Sequence, residues 1–275
     1  MEIGDDGRSV ARYVGVDLRE VGDWEAGEVI GEATSPLHEH LRAPGGGIRT
    51  GALLTMCDNV GGFCAGLAAL PEGWVVSTNL SLTLAPRRVR GPMRLRSTVL
   101  RAGKAAIVTD VRVTDSGADD AIVADAVLTS AVLIPEGGPP HWARPAHMQA
   151  PPPTGALAPL VEWLGIRDVP GEPAGVVELD ITDAVRNPWG IMHGGVTASL
   201  VDVAAERAGA AHLGLPVESA DVALHFLAPS RVGPVRATAT VMGERGDGVV
   251  VLVEVRDTGR DRVAARAVVT ARPAA

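Results

Sequence analysis

A stretch in the C-terminal half of the sequence combines an amide, an imidazole and two adjacent glycines. Residues 187–195 read Asn-Pro-Trp-Gly-Ile-Met-His-Gly-Gly, and Asp202 follows them. If a helix begins at Gly194, its first backbone N–H groups have no intrahelical partner and lie at the positive end of the helix dipole. They could stabilise negative charge on a carbonyl oxygen, and glycine would leave the carbonyl carbon room to approach. Asn187 could donate to the same oxygen or hold a water molecule, and His193 could bond the loop or the ligand.

The order of sequence patterns around this stretch occurs twice in the chain. Asp58 and Asp202 are related by an offset of 144 in the numbering (202 − 58). The tripeptide Leu-Ala-Pro, which ends at Pro86 and again at Pro229, recurs at an offset of 143 (229 − 86). A slip of a single position over this stretch is typical of an old duplication. The alternative, two α+β units that are alike by chance, is weaker because the order of elements agrees as well.

The offset between the two acids shows what the N-terminal half has kept of the stretch. The acid and one glycine are kept, whereas the amide and the imidazole are lost. The aligned pairs are Ala43 with Asn187, Arg49 with His193, Thr50 with Gly194, Gly51 with Gly195 and Asp58 with Asp202.

Two central helices and eight strands are predicted to position these residues. Residues 194–213 show apolar side chains at helical spacing among many Ala and Gly, and the apolar segment 50–70 matches them. A helix with so little bulk suits burial inside a curved sheet. Valines alternate along residues 248–256, and short turns make consecutive strands antiparallel. The predicted strands are 74–84, 93–102, 105–114 and 121–133 in the first half, and 220–227, 235–242, 248–256 and 262–271 in the second.

The predicted fold class is α+β, with two tandem domains that each wrap an antiparallel sheet around a central helix. The N-terminal domain spans residues 1–134 and the C-terminal domain residues 160–275. Residues 135–159 are rich in Pro, Gly and Ala without apolar periodicity, so they form the predicted linker.

The pattern Asn-x-x-Gly-x-x-His-Gly-Gly, followed after six residues by Asp, resembles the signature of the phenylacetyl-CoA thioesterase branch of the hotdog superfamily. The likeness covers about residues 160–272, including residues 227–229 and Gly233, and a fainter copy covers residues 12–133. The resemblance implies two hotdog domains paired within the chain as a pseudo-dimer. It implies an acyl-CoA thioesterase in which a helix carboxylate acts as general base or nucleophile. It also implies that each site takes its helix N-terminus from one domain and its acid from the other.

Two unequal sites follow from this pairing. Asn187, His193 and Gly194 are predicted to act with Asp58 as the competent catalytic site. Gly195 lies beside them as a substrate contact. The opposite site, built around the acid Asp202, is predicted to be altered because Arg49 and Thr50 face it.

Further residues are predicted to hold water and the CoA portion of the substrate. In some members of the resembled family, a Ser or Thr on the strand after the helix positions the water. The candidates are Ser77 or Thr78 beside Asp58, and Ser219 in the second half, aligned with Val76. Arginines near strand ends are the candidates for CoA phosphates. Arg88 and Arg231 are the first choice because the Leu-Ala-Pro offset of 143 also relates them (231 − 88), and Arg87, Arg90 and Arg236 are also candidates.

Composition limits the class of protein. The net charge of −8 argues against a nucleic-acid partner. The N-terminus has no basic or apolar region of a secretory signal, and no apolar run approaches the ~20 residues of a membrane-spanning helix. Cys57 and Cys64 are too far apart on one helix for a disulfide, so a cytoplasmic protein is predicted. Neither zinc-ligand spacing nor a Gly-x-Ser-x-Gly elbow is present, and no cofactor or metal is expected.

Several alternatives remain open at this point. A non-catalytic acyl-CoA binding or sensing protein is the main one, because the N-terminal half has lost site residues. A hotdog dehydratase is disfavoured, since those enzymes pair Asp and His in another arrangement. The sequence does not identify the acyl group, and a homodimer of double-hotdog chains is left open.

Overall fold

A computed structural model provides the structure of the protein. It describes residues 9–22, 29–70, 73–85, 89–134, 147–149 and 156–274.

In these ranges the chain forms four α-helices and thirteen strands, which belong to one sheet. The helices are α1 (Val10–Val14), α2 (Thr50–Ala69), α3 (Leu160–Trp163) and α4 (Gly194–Leu213). The strands are β1 (Asp17–Glu20), β2 (Ile30–Ser35), β3 (Trp74–Leu84), β4 (Met93–Ala102), β5 (Ala106–Asp115), β6 (Ala121–Leu133), β7 (His147–Gln149), β8 (Arg167–Asp168), β9 (Val176–Leu179), β10 (Val217–Phe226), β11 (Val235–Arg245), β12 (Gly248–Asp257) and β13 (Arg262–Pro273).

Apart from β7 at one edge, the sheet has the same strand order in both halves of the chain, read outward from its centre. The order is β7-β1-β2-β4-β5-β6-β3-β10-β13-β12-β11-β9-β8, and all pairings are antiparallel. At the centre, β3 pairs with β10 so that Leu80 faces Leu224 and Leu82 faces Val222, on either side of the pair Ser81 and Ala223. This register is self-complementary at a numbering offset of 142 (223 − 81), as at the two-fold interface of a homodimer.

The two long helices pack against the sheet and cross each other near their N-termini. A Cβ atom on Gly195 would lie 2.7 Å from the Cα of Thr55, and one on Gly51 would lie 3.0 Å from the Cα of Ser199. Thr55 Oγ1 and Ser199 Oγ are 3.1 Å apart at the crossing. Glycine is therefore required at these positions because the backbones approach too closely for a side chain.

Helix α2 corrects one expectation drawn from the sequence. Its 20 residues, Thr50–Ala69, are long and apolar enough to cross a membrane by length and composition. However, 67% of the apolar window is buried inside the fold. The helix reaches this apolarity because it packs against the sheet on one side and against α4 on the other.

The predicted alternation of the strands is confirmed. Along β12, Val249, Val251, Val253 and Val255 are fully buried, whereas Leu252 on the other face is exposed. The predicted bounds of the helices and of β3, β4, β5, β6 and β12 agree with the structure to within a residue, and those of β10, β11 and β13 differ by up to three residues. The α+β fold with a central helix in each sheet half is therefore confirmed.

The predicted linker, residues 135–159, lies mostly outside the described residues. Within it, residues 147–149 form β7, which pairs with β1. The division into domains at residues 134 and 160 stays a prediction.

Candidate active site

The loop before α4 is closed by hydrogen bonds that explain two residues of the predicted motif. The Asn187 side-chain oxygen accepts from the backbone N–H groups of Trp189 (3.0 Å) and Ile191 (3.3 Å). Arg186 braces the same turn by donating to the Gly190 carbonyl oxygen at 2.5 Å. The carbonyl end of Asn187 is thus used by the loop, which leaves its NH₂ group as the donor for the cavity that Asn187 lines.

His193 is the residue at which the loop becomes helix. It is the N-cap of α4, and its Nδ1 accepts from the backbone N–H of Gly195 at 3.0 Å. Burial lowers the pKa of His193, and the nearby charge of Asp58 opposes this shift. The imidazole is therefore neutral at neutral pH, and it stiffens the first turn of α4.

Asp58 reaches this first turn from α2, which belongs to the other half of the chain. Its Oδ2 accepts from the Gly195 N–H at 2.9 Å and lies 3.2 Å from His193 Nδ1. Its Oδ1 accepts from Ser77 Oγ at 2.7 Å. Only 6% of Asp58 is exposed, so the carboxylate is held in one orientation at the seam between the halves.

Of the two glycines, Gly195 departs from the role that the sequence predicted, and Gly194 does not. The Gly195 N–H is already bonded to Asp58, so it is not a bare donor for substrate. The Gly194 N–H makes no hydrogen bond within the residues that the structure describes, and Gly194 lines the cavity. A Cβ on Gly194 would lie 2.8 Å from Asp58 Oδ2, so this glycine makes room for the acid as well as for a ligand.

A cavity of about 490 Å³ joins these groups. Asp58, Ser77, Asn187, His193 and Gly194 all line it. This size lies within the ~300–1,000 Å³ of typical ligand sites. The wall is otherwise mainly apolar and includes Phe63, Leu67, Leu70, Trp74, Leu133, Trp189, Met192, Phe226 and Leu227.

The choice between Ser77 and Thr78 is decided by a β-bulge. The register of β3 against β6 shifts after Ser77, and the register of β10 against β13 shifts after Ser219. Ser219 therefore corresponds to Ser77 rather than to Val76, at the offset of 142 (219 − 77) found in the central strand pair. Ser77 bonds Asp58, whereas the Thr78 hydroxyl donates to the Thr129 carbonyl oxygen at 3.0 Å and stabilises the sheet.

The second site has the same backbone plan with different side chains. Asp202 Oδ2 accepts from the Gly51 N–H at 2.9 Å and lies 3.7 Å from Arg49 Nη1. Arg49 also bonds Glu206 at 2.6 Å. Asp202 is fully buried, and a side-chain interaction with Ser219, the counterpart of Ser77, favours its ionised form. The acid of this site is therefore sealed from solvent.

Burial shifts the acids of the second site towards their protonated forms. It raises the pKa of Asp202 although Arg49 opposes the shift. Burial and the charge of Asp202 raise the pKa of Glu206 to about 8. A single guanidinium faces two buried carboxyl groups, so it cannot neutralise both. The sequence prediction missed Glu206, although its position one helical turn after Asp202 could have indicated it.

The predicted arginines separate into three groups. Arg231 lines the cavity, and its backbone N–H is fixed by Asp257 at 2.8 Å. Arg236 pairs with Glu178 at 2.9 Å and does not line the cavity. Arg87 and Arg88 lie outside the described residues, and Arg90 is outside the cavity lining.

The predicted equivalence of Arg88 and Arg231 is not supported by the turns around them. Asp115 accepts from the Gly91 N–H at 2.9 Å, and Asp257 accepts from the Gly233 N–H at 2.8 Å. These matching turns align at an offset of 142 (233 − 91). At this offset the residue equivalent to Arg231 is Val89 and not Arg88.

The cysteines are not candidate nucleophiles. Cys57 and Cys64 are both free and buried. Burial raises the pKa of both thiols, so neither forms the reactive thiolate at neutral pH.

Comparison with known proteins places the site in a family context. Residues 190–264 match the family model of the thioesterase superfamily. A TesB protein from Mycobacterium avium subsp. paratuberculosis, 13% identical, gives a TM-score of 0.63 over 95% of this chain and 98% of that one. A 12:0-ACP thioesterase from Umbellularia californica, 11% identical, gives 0.62 over 89% and 94%. A hot dog fold protein from Alicyclobacillus acidocaldarius, 15% identical, gives 0.57 over 88% and 92%. No curated protein matches the sequence.

These findings confirm the predicted resemblance to hotdog-fold thioesterases. The chain has the hotdog fold, and residues 190–264 within its C-terminal half match the thioesterase superfamily model. The identities to the solved structures are low, so those structures establish the fold alone. The phenylacetyl-CoA thioesterase-like branch and the tandem duplication stay predictions, the latter supported by the repeated strand order.

Proposed function

From the thioesterase superfamily match and the hotdog fold, we propose that this protein hydrolyses acyl thioesters and that acyl-CoA is its substrate. The single observation that carries the proposal is the position of Asp58. A buried carboxylate from one half stands at the open N-terminus of the central helix of the other half, inside a cavity. Acyl transfer to water needs a base for the water and a hydrogen-bond donor for the carbonyl oxygen. A carboxylate beside an unpaired backbone N–H supplies both.

In the proposed reaction the thioester oxygen accepts from the Gly194 N–H and the Asn187 amide. Asp58 removes a proton from water as the water oxygen bonds to the carbonyl carbon. The tetrahedral intermediate then collapses with cleavage of the carbon–sulfur bond. The proton passes from Asp58 to the departing thiolate, which gives a carboxylic acid and a free thiol. Removing an oxyanion donor of this kind typically costs about 3 kcal/mol of transition-state stabilisation.

The carrier is proposed to be CoA, with its polar portion on the side of the cavity lined by Arg231. A guanidinium suits phosphate groups, and Arg231 makes no side-chain hydrogen bond or ion pair among the described residues. No metal or redox cofactor is part of this proposal, and we expect the enzyme to act in the cytoplasm.

The test is release of free thiol from a panel of acyl-CoA thioesters from acetyl to dodecanoyl and including phenylacetyl. The same acyl groups on acyl carrier protein form the second arm. Hydrolysis of CoA thioesters supports the proposal, and hydrolysis of only the protein-bound thioesters would correct the carrier. Binding of a non-hydrolysable acyl-CoA thioether without thiol release from any thioester would overturn the hydrolase and favour a sensing protein.

A further inference from the structure

Gly62 is an open position in the wall of the cavity. It lies one helical turn after Asp58 on α2, and a Cβ atom built there would have no atom within 4 Å. Gly61, by contrast, would place a Cβ 3.1 Å from Leu128, Thr109 and Val111. Gly62 therefore faces empty space rather than the sheet, and its lack of a side chain keeps the cavity open beside the acid.

The same position in the other half carries a long acidic side chain. Glu206 is related to Gly62 by the offset of 144 (206 − 62), which also relates the start of α2 to the start of α4. Its carboxyl group bonds Arg49, which stands where the competent site has His193. The space between positions 49 and 206 is thus occupied by the hydrogen-bonded Arg49–Glu206 pair.

Two cavities among the residues that the structure describes differ accordingly. The cavity at Gly62 includes Asp58 in its lining. On the other side, a surface cavity of about 950 Å³ is lined by Arg49 and Glu206 but not by Asp202, Gly51 or Ser219. The Arg49–Glu206 pair therefore separates that cavity from its acid.

We propose that positions 62 and 206 gate the two acyl channels: Gly62 admits an apolar acyl chain past Asp58, and the Arg49–Glu206 pair closes the equivalent channel. The chain consequently binds a single acyl thioester. This inference rests on the proposed function and adds where the acyl group runs. Beyond Gly62 the channel follows the same face of α2 to Gly66 and Leu70, which also line the cavity. From Asp58 to Leu70 the helix rises about 18 Å, so a medium-length chain fits better than acetyl.

The first experiment grades the size of residue 62. Gly62→Ala, Gly62→Val and Gly62→Leu are assayed with acetyl-, hexanoyl- and decanoyl-CoA. We expect kcat/KM for decanoyl-CoA to fall stepwise, by at least about tenfold in the Leu variant, because overpacking costs ~1–3 kcal/mol. In the same variants, kcat/KM for acetyl-CoA should change by less than about threefold. Ala211→Leu, at an exposed position of α4, is the matched helix control.

An equal loss for all chain lengths, or no loss for decanoyl-CoA in the Leu variant, would contradict the channel past Gly62. Absence of hydrolysis in the unmodified protein would instead refute the proposed function, so the two failures are distinguishable. Thermal unfolding of each variant separates a blocked channel from a damaged fold.

The second experiment opens the closed channel and does not depend on turnover. Calorimetric titration with a non-hydrolysable decanoyl-CoA thioether should give one site per chain in the unmodified protein. Arg49→His/Glu206→Gly gives the second half the residues of the first at these positions and should give two. Two sites in the unmodified protein, or one in a folded double variant, would overturn the closure. If the double variant does not fold, the Gly62→Glu variant is titrated instead. The proposal predicts that this variant loses the single binding site, and a retained site would contradict it.

Discussion

The two sites between the halves of the chain, at Asp58 and at Asp202, have the same backbone arrangement but differ in what their side chains can do. In each, the helix of one half offers an N–H group to an aspartate of the other, at 2.9 Å in both cases. At the first site the neighbours of the acid are His193, Ser77 and a cavity. At the second they are Arg49, Glu206 and protein interior.

This difference shows that the aspartate alone does not define a catalytic site in this fold. The contact from an aspartate to a helix N-terminus also stabilises the pairing of the halves, and it is kept at the site that has lost its amide and imidazole. What distinguishes a reactive site is access and an available donor beside the acid. At Asp58 the cavity gives access and Gly194 offers its N–H, whereas Asp202 is fully buried and has no access.

The largest expected effect comes from replacing the aspartate of each site in turn with asparagine. Asp58→Asn should lower kcat for thioester hydrolysis by about 10³-fold, since a positioned general base contributes ~10²–10⁴. Asp202→Asn, the matched variant, should leave kcat within about threefold because its site has no access to substrate. Thiol release measures both. Loss of hydrolysis in Asp202→Asn with activity retained in Asp58→Asn would reverse the assignment of the two sites.

The next effect concerns the space that glycine provides. Gly194→Ala should lower kcat/KM by about 100-fold, because a Cβ would lie 2.8 Å from Asp58 Oδ2 and displace the carboxylate. Thr50→Gly is the matched change at the second site, and hydrolysis should be unaffected. Steady-state kinetics with circular dichroism of both variants provides the measurement. Full activity in a folded Gly194→Ala protein would show that Asp58 does not need its present position.

A smaller effect is expected from the hydroxyl group beside each acid. Ser77→Ala should lower kcat by about tenfold with little change in KM, because Ser77 positions the carboxylate and does not bind substrate. Ser219→Ala should have no effect on hydrolysis, since Ser219 lies beside Asp202, which is fully buried and has no access to substrate. Ser77→Thr should restore most of the activity, which a purely structural role in β3 would not predict. A rise in KM at constant kcat would instead indicate a substrate contact.

Much of the fold could be predicted from the sequence because its signals are local. The helix bounds follow from a Gly-Gly start and a long apolar segment, and the strands follow from alternation between Gly-rich turns. The contact between Asp58 and the start of α4 is not local, since the two segments lie in different halves of the chain. It could be predicted only because the resemblance implied that the halves pair.

The details that decide the chemistry could not be predicted in this way. A bulge, not the spacing, selects Ser77 over Thr78 and pairs Ser219 with it. The Gly195 N–H is taken by Asp58 because the helices cross closely. Glu206 belongs to no recognisable motif. Its role depends on its bond to Arg49, which is distant in sequence. Each of these depends on register or on packing between halves, and neither can be read from periodicity.

The smallest expected effect is the pH dependence of stability that the second site adds. The pKa of Glu206 is raised to about 8, so between its ordinary range and about pH 8 the folded protein binds more protons at this group than the unfolded chain does. The contribution of Glu206 to the free energy of unfolding is therefore present at low pH and is lost as the pH rises towards 8. Glu206→Gln should remove much of this slope because glutamine binds no titrating proton in either the folded or the unfolded state. Urea unfolding of both proteins from pH 5 to 9 measures it. Parallel stability curves would mean that Glu206 stays ionised, and the comparison would then reduce to a closed ion pair against an open cavity.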